Sequence, residues 1–261
     1  MDPALTVHEF DAAGNRIVLA DGRCSGERLT AEHVYRRVAR LDYEGKPDLF
    51  AVITSGLLLS ANFWNRDGSR ERVCGNALRC IGWLLSRCHD RLEPVWTEHG
   101  AFTVGSEDGR GWVDFPLAAI LAQNVGTNEW FVDCGTPHAV WMVEDLNDEE
   151  TSCRALRLST GADAINVTIA ASSPTGWKVR TFERGVGETG SCGTGAIAAF
   201  ASLARHGRTA SRTSFEFPSG HSLAVNRERD ALRLVGPLNH VVSRRTGRPP
   251  DTSGCASRTV P

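Results

Sequence analysis

Two stretches of this chain can only be helices enclosed by protein. NALRCIGWLLSRC (76–88) and TGAIAAFASLARHG (194–207) are apolar almost all round, and a helix with no polar face has to be covered on every side. The second runs out at Gly207, a natural C-cap. Elsewhere the chain is made of short runs of β character: LTVHEF, RIVLAD, LFAVITS, SANFWN, AFTVGS, GWVDF, EWFVDCG, HAVWMVE, INVTIA, WKVRTF, SFEF, SLAVN and LRLVG. Turn formers such as DG, EDGR and SPTG separate them. One further helix is read at RLTAEHVYRRVARLD (28–42), with Val34, Val38 and Leu41 on one stripe. Many strands and few helices predict an α+β fold.

Both enclosed helices follow the same grammar: a charged or glycine-rich turn, then Cys-Gly, then helix. The first reads DGSRERVCGNALRC (67–80) and the second ERGVGETGSCGTG (183–195). Cys74 and Cys192 stand 118 positions apart, nearly half of the 261 residues. The spacing predicts an internal duplication: two topologically similar domains, each a curved, mostly antiparallel sheet around one central helix. Residues 1–116 would form the first and 117–240 the second. The remainder, 241–261, is rich in Arg, Pro, Ser and Gly, and is expected to be disordered or to return to the first domain.

A thiol at a helix mouth has a chemical use. The first amides of a helix lack internal partners, and the macrodipole places positive charge there. A thiolate gains up to about 2 kcal/mol at such a spot, which predicts a cysteine close to half-ionised at neutral pH. Gly75, Gly193 and Gly195 carry no Cβ and would let a ligand reach the exposed amides. Two such mouths facing one point would hold a carboxylate with a base on one side of its α-carbon and an acid on the other. That arrangement describes a racemase needing no cofactor: one sulfur removes a proton, the other returns one to the opposite face.

In these motifs the chain resembles the diaminopimelate epimerase family, whose members carry two catalytic thiols in segments of the form D-G-S-x-x-x-x-C-G-N-G-x-R-C and E-R-G-x-G-E-T-x-x-C-G-[ST]-G. Weaker echoes are AGNRIVLAD, NRDG, DCGTPHAV, INV and FPSG, so the resemblance spans residues 5–240. It implies a site in the cleft between the two domains and no cofactor. Cys74 and Cys192 would be the acid/base pair, and the amides of Gly75, Asn76, Gly193 and Thr194 would bind the reacting carboxylate. Asn15, Asn65, Asn166, Glu183 and Arg184 match positions that hold the far end of the substrate, and His138 matches a histidine near the thiols. Glu188 is expected to brace its loop. The chain departs from the family at the distal end, where Leu49 and Thr136 stand in place of polar residues. The substrate would therefore be an amino acid read differently at its distal end, with diaminopimelate one candidate among several.

Other classes fit less well. A net charge of −2 excludes a broadly basic nucleic-acid binder, and no run approaches the about 20 apolar residues of a membrane span. The N-terminus lacks a signal-peptide core, so a cytoplasmic location is expected. The eight cysteines include no CxxC pair, and no metal site is read from them. The resemblance admits a monomer or a homodimer. Two alternatives remain open at this point: an isomerase or dehydratase of the same fold acting on another carbon acid, and a non-enzymatic redox or metal-binding thiol protein.

Overall fold

The computed structural model describes residues 5–23, 29–87, 94–209 and 211–246. Its first half runs β1 (Leu5–Asp11), β2 (Arg16–Asp21), α1 (Ala31–Val38), β3 (Leu49–Ser55), β4 (Leu59–Asn65), β5 (Arg70–Glu71), α2 (Gly75–Arg87), β6 (Val95–Trp96), β7 (Ala101–Glu107) and β8 (Arg110–Pro116). The second runs β9 (Leu121–Gly126), β10 (Glu129–Asp133), β11 (Pro137–Val143), α3 (Glu149–Thr160), β12 (Asn166–Ser173), β13 (Gly176–Glu183), β14 (Gly187–Thr189) and α4 (Gly193–Arg205). It closes with β15 (Arg212–Glu216), β16 (Ser222–Arg227), β17 (Ala231–Pro237) and β18 (Asn239–Thr246).

The strand pairings repeat. An antiparallel pair, β1–β2 or β10–β11, is followed by a helix that crosses over to a parallel neighbour, β3 or β12. An antiparallel return, β4 or β13, carries the short strand β5 or β14 on its edge. After the enclosed helix, β6 or β15 pairs parallel to that return strand, and two antiparallel strands complete the unit. The halves join where β8 pairs antiparallel with β17, so equivalent strands meet across a local two-fold relation. The result is a mixed sheet in one hydrogen-bonded network, with few helices.

Helix α2 is buried from Gly75 through Leu85 except at Trp83, and α4 from Gly193 through Leu203. Strands β2, β7, β8 and β17 pack on α2, while β9–β12, β16 and β17 pack on α4. One apolar core runs through both halves around the two helices. Helix α1 is capped by Thr30, whose Oγ1 accepts from His33 N at 3.2 Å, and it turns Val34 and Val38 inward. Helix α4 stops at Gly207, in the left-handed region at φ +68°.

Two elements add to the sequence expectation. Helix α3 is polar and buries only Ala155 and Ser159; its start is set by the Asp148 carboxylate, which accepts from Thr151 N at 2.8 Å. Residues 241–246, the start of the stretch expected to be disordered or to return to the first domain, belong to β18, which pairs along β1 of the first half. Residues 247–261 lie outside the described residues.

The fit of α2 against β7 depends on Gly82. A Cβ there would stand 2.5 Å from the Gly105 amide nitrogen and 2.6 Å from its carbonyl oxygen, and backbone cannot step aside as a side-chain tip can. Alanine normally stabilises a helix interior relative to glycine, but overpacking should reverse the sign here. Gly82→Ala is expected to destabilise the protein by about 1–3 kcal/mol, read as a lower midpoint in urea unfolding. A neutral or raised midpoint would refute this packing.

Candidate active site

The mouths of α2 and α4 abut. A Cβ on Gly75 would lie 3.4 Å from Gly193 backbone, and one on Gly193 would lie 3.1 Å from the Asn76 amide nitrogen. Both would also press within 2.9 Å of Leu234 Cδ2. Only glycine permits so close an approach of two helix ends. The two cysteines are built into these ends alike. The Cys74 carbonyl accepts the first helical bond, from Leu78 N at 2.9 Å, and its Sγ accepts from Ala77 N at 3.5 Å. In the other half, the Cys192 carbonyl accepts from Ala196 N at 3.1 Å and its Sγ from Gly195 N at 3.4 Å. Each thiol is thus a helix N-cap.

Both thiols line one pocket, and its other walls follow the same duplication. Asn15 and Thr136 precede β2 and β11; Leu49 and Asn166 open β3 and β12; Asn65 and Glu183 close β4 and β13; Glu71 and Thr189 close β5 and β14. With Cys74 and Cys192, Gly75 and Gly193, and Asn76 and Thr194, every one of these pairs reaches the pocket. The mouths keep the same polarity in both halves, whereas the surrounding pairs differ in chemistry.

Nearly all the residues read from the sequence are therefore brought together; Arg184 and His138 are not among the lining. The exposed Arg184 guanidinium turns to the Glu71 carboxylate at 3.3 Å, while its backbone N–H donates to Asn166 Oδ1 at 2.7 Å. His138 is fully buried behind the wall, with Nδ1 2.9 Å from Thr168 Oγ1 and Nε2 3.0 Å from Thr194 Oγ1. Burial pushes its pKa down to about 3, so it is neutral there. Thr194 Oγ1 lies 3.3 Å from Cys192 Sγ, so His138 reaches that thiol through a hydroxyl. Asn76 turns its side chain away from the ligand space: its amide donates to Ser191 Oγ at 3.3 Å and its Oδ1 accepts from Arg79 at 2.9 Å.

Sequence reasoning missed Asp48, Glu71, Val73, Val186 and Thr189 in the lining, and Arg79 beneath it. Arg79 was visible in the first motif, in CGNALRC. It is wholly buried, donates to the Pro237 carbonyl at 3.1 Å, and leaves Nε without a partner. Desolvation lowers its pKa to about 10, which still leaves a full positive charge under the helix mouths at neutral pH. Glu188, by contrast, is a brace, gripped by Arg180 through both oxygens at 2.7 and 2.8 Å.

One expectation is corrected. Burial pushes the Cys74 thiol up to about 12 despite the N–H bonds from Ala77 and Asn76, and the nearby Glu183 and Glu71 carboxylates add to the rise. Cys192 is raised too, first by burial and then by Glu183. Desolvation outweighs the helix mouth, so in this arrangement both cysteines are neutral thiols rather than half-ionised. Glu183 compensates. Burial lifts its carboxyl to about 7, and it accepts a hydrogen bond from Thr189 Oγ1 at 2.7 Å. Alkylation with iodoacetamide at neutral pH should accordingly label exposed Cys153 at least roughly tenfold faster than Cys74 or Cys192 in ligand-free protein. Peptide mass mapping reads the rates, and equal labelling would contradict the shifts.

Residues 130–241 match the family model described as diaminopimelate epimerase. The chain is 30% identical over 250 residues to the diaminopimelate epimerase of Chlorobaculum tepidum, covering 89% of this chain and 97% of that one. It is 27% identical over 258 residues to the diaminopimelate epimerase of Phenylobacterium zucineum, covering 88% and 93%. Among solved structures it shares the fold of a PhzF-family phenazine biosynthesis protein from Enterococcus faecalis, with TM-score 0.68, 16% identity, and 94% and 100% of the two chains covered. A hydroxyproline epimerase from Agrobacterium vitis is similar at TM-score 0.64 and 14% identity, with 94% and 91% covered.

Proposed function

Because this chain belongs to the diaminopimelate epimerase family, and is thereby an isomerase, we propose that it inverts the α-carbon of an amino acid without a cofactor, using Cys74 and Cys192 as a two-base pair. The observation that carries this reading is the meeting of two thiol-capped helix mouths in one pocket. The substrate carboxylate sits on the amides of Gly75, Asn76, Gly193 and Thr194, with Arg79 adding positive charge from below. The α-carbon then lies between the sulfurs. Residues 1–116 and 117–240 act as two lobes that close over it and exclude water.

A neutral thiol is a poor base, so one has to lose its proton first. Glu183 takes it from Cys192: both line the same pocket, and a carboxyl titrating at about 7 is matched to neutral working conditions. The Cys192 thiolate removes the α-proton, the helix amides hold the charge that builds on the carboxylate, and the Cys74 thiol delivers its proton to the other face. Cys192 ends as thiol and Cys74 as thiolate, so the same steps run backwards from the opposite enantiomer. Two thiols in one pocket favour this reaction over a dehydratase or a redox protein, which need only one or a bonded pair.

The reading is tested by Cα–deuterium exchange over a panel of L- and D-amino acids in D2O, with reduced protein and no pyridoxal phosphate. Cys74→Ser and Cys192→Ser should each cut inversion by roughly 10²–10⁴-fold, while retaining exchange from one enantiomer only. Racemisation at wild-type rates in both variants would end the two-base assignment. The pH profile makes a separate statement. The rate constant kcat/KM should rise as pH passes about 7, where Glu183 becomes free to accept a proton, and Glu183→Gln should abolish that limb along with most of the activity.

A further inference from the structure

The two enclosed helices start alike but end differently. Nine positions after its thiol, α2 carries Trp83 and α4 carries Ala201; thirteen after it, both carry arginine, Arg87 and Arg205. The strands beside them diverge in the same sense. His240 of β18 lies opposite Phe10, whereas Ala122 of β9 lies opposite Val132, which holds the place of Phe10 in the second half. In the first half these side chains pack together. The Trp83 ring centroid is 5.3 Å from that of Phe10 and 4.8 Å from that of His240, and the Arg87 guanidinium covers the indole at 3.7 Å. In the second half an indole, an imidazole and a phenyl ring are replaced by two methyl groups and an isopropyl group.

Ala201 and Ala122 line a cavity of about 400 Å³, within the roughly 300–1,000 Å³ of small-molecule sites. Its floor is apolar, with Phe200, Ala201 and Leu232 buried, and it shares no lining residue with the thiol pocket. Exposed Arg205 and Arg227 complete the lining. Arg227 takes the place of Ser106 in the first half, so a cation is gained beside the lost rings. Among the described residues neither guanidinium is paired with a carboxylate. The last carbonyls of α4 are met instead by the amides of His206, Gly207 and Arg208. Arg205 thus keeps the position of Arg87 without the ring that Arg87 covers.

We propose that this cavity is a binding site for a planar aromatic carboxylate. Its ring takes the place of the missing indole against Ala201 and beneath Arg205, since a guanidinium stacks on an aromatic face. Its carboxylate pairs with Arg227, as two cations without carboxylate partners call for an anion beside an apolar floor. The site stands apart from the thiols and does not depend on the epimerase reading.

Indole-3-acetate is the probe, titrated calorimetrically into the full chain. It should bind one molecule per chain, at least roughly tenfold more tightly than indole, which lacks the carboxylate. Ala201→Trp, which restores the ring from within the chain, should abolish binding, and Arg227→Gln should weaken it about tenfold. Absent binding, affinity no better than that of indole, or affinity undiminished in Ala201→Trp overturns the proposal. Should Ala201→Trp not fold, Arg227→Gln at an exposed position decides, and unchanged affinity there is equally fatal. Sedimentation of the ligand-free chain covers the other occupant: self-association abolished by Ala201→Trp would assign the cavity to a second copy and overturn the small-molecule site.

Discussion

Two helix N-termini pressed against one another are electrostatically unfavourable, and this molecule is organised around that contact. Each mouth presents unpaired N–H groups, and the like ends of two dipoles repel. Arg79 aggravates the conflict: a guanidinium buried beside the mouths, bonded to a carbonyl and an amide and, among the described residues, to no carboxylate. The apolar core wrapped around α2 and α4 holds these groups together in spite of their charge. A bound anion would relieve all three at once, and under the proposed reaction that anion is the substrate carboxylate. The thiols take their character from the same spot. They border two helix mouths and are also shut away from water, and the second effect is the larger.

Much of this was legible in the residues. Helices with no polar face announce that they are enclosed, and short alternating runs mark the strands, so α2, α4 and the main sheet could be read directly. The parts that escaped did so because their conformation is imposed from outside. Strand β9 is largely exposed along LAQNVG, and β18 is formed where β1 offers it an edge. Helix α3 shows little apolar patterning and is fixed by one capping carboxylate.

At the site, the thiols, the glycines and most of the polar lining were readable from two motifs, whereas Glu71 was not. It sits in RER, where no apolar residue sets the register. Only the pairing of β5 with β4 turns Glu71 inward between an Arg70 laid over the Trp64 ring, 4.5 Å from its centroid, and an Arg72 directed to His99. The raised thiols escaped for a related reason. A helix mouth is visible in a string of letters; the thickness of protein above it is not.

The pairing of β8 with β17, of α2 with α4, and of each lining residue with its counterpart gives the centre of the molecule an approximate dyad. A carbon on that dyad meets equivalent sulfurs and equivalent amides from its two sides. Under the proposed reaction the core apparatus is therefore blind to handedness, and left- and right-handed ligands encounter the same machinery. Chirality enters where duplication has drifted: Asn15 against Thr136, Leu49 against Asn166, Asn65 against Glu183, Glu71 against Thr189, Asn76 against Thr194. Divergence between the two repeats at Leu49 or Glu71 could thus retune which compound is accepted while the sulfurs and amides stay alike, whereas at Glu183 it falls on the proposed proton transfer itself.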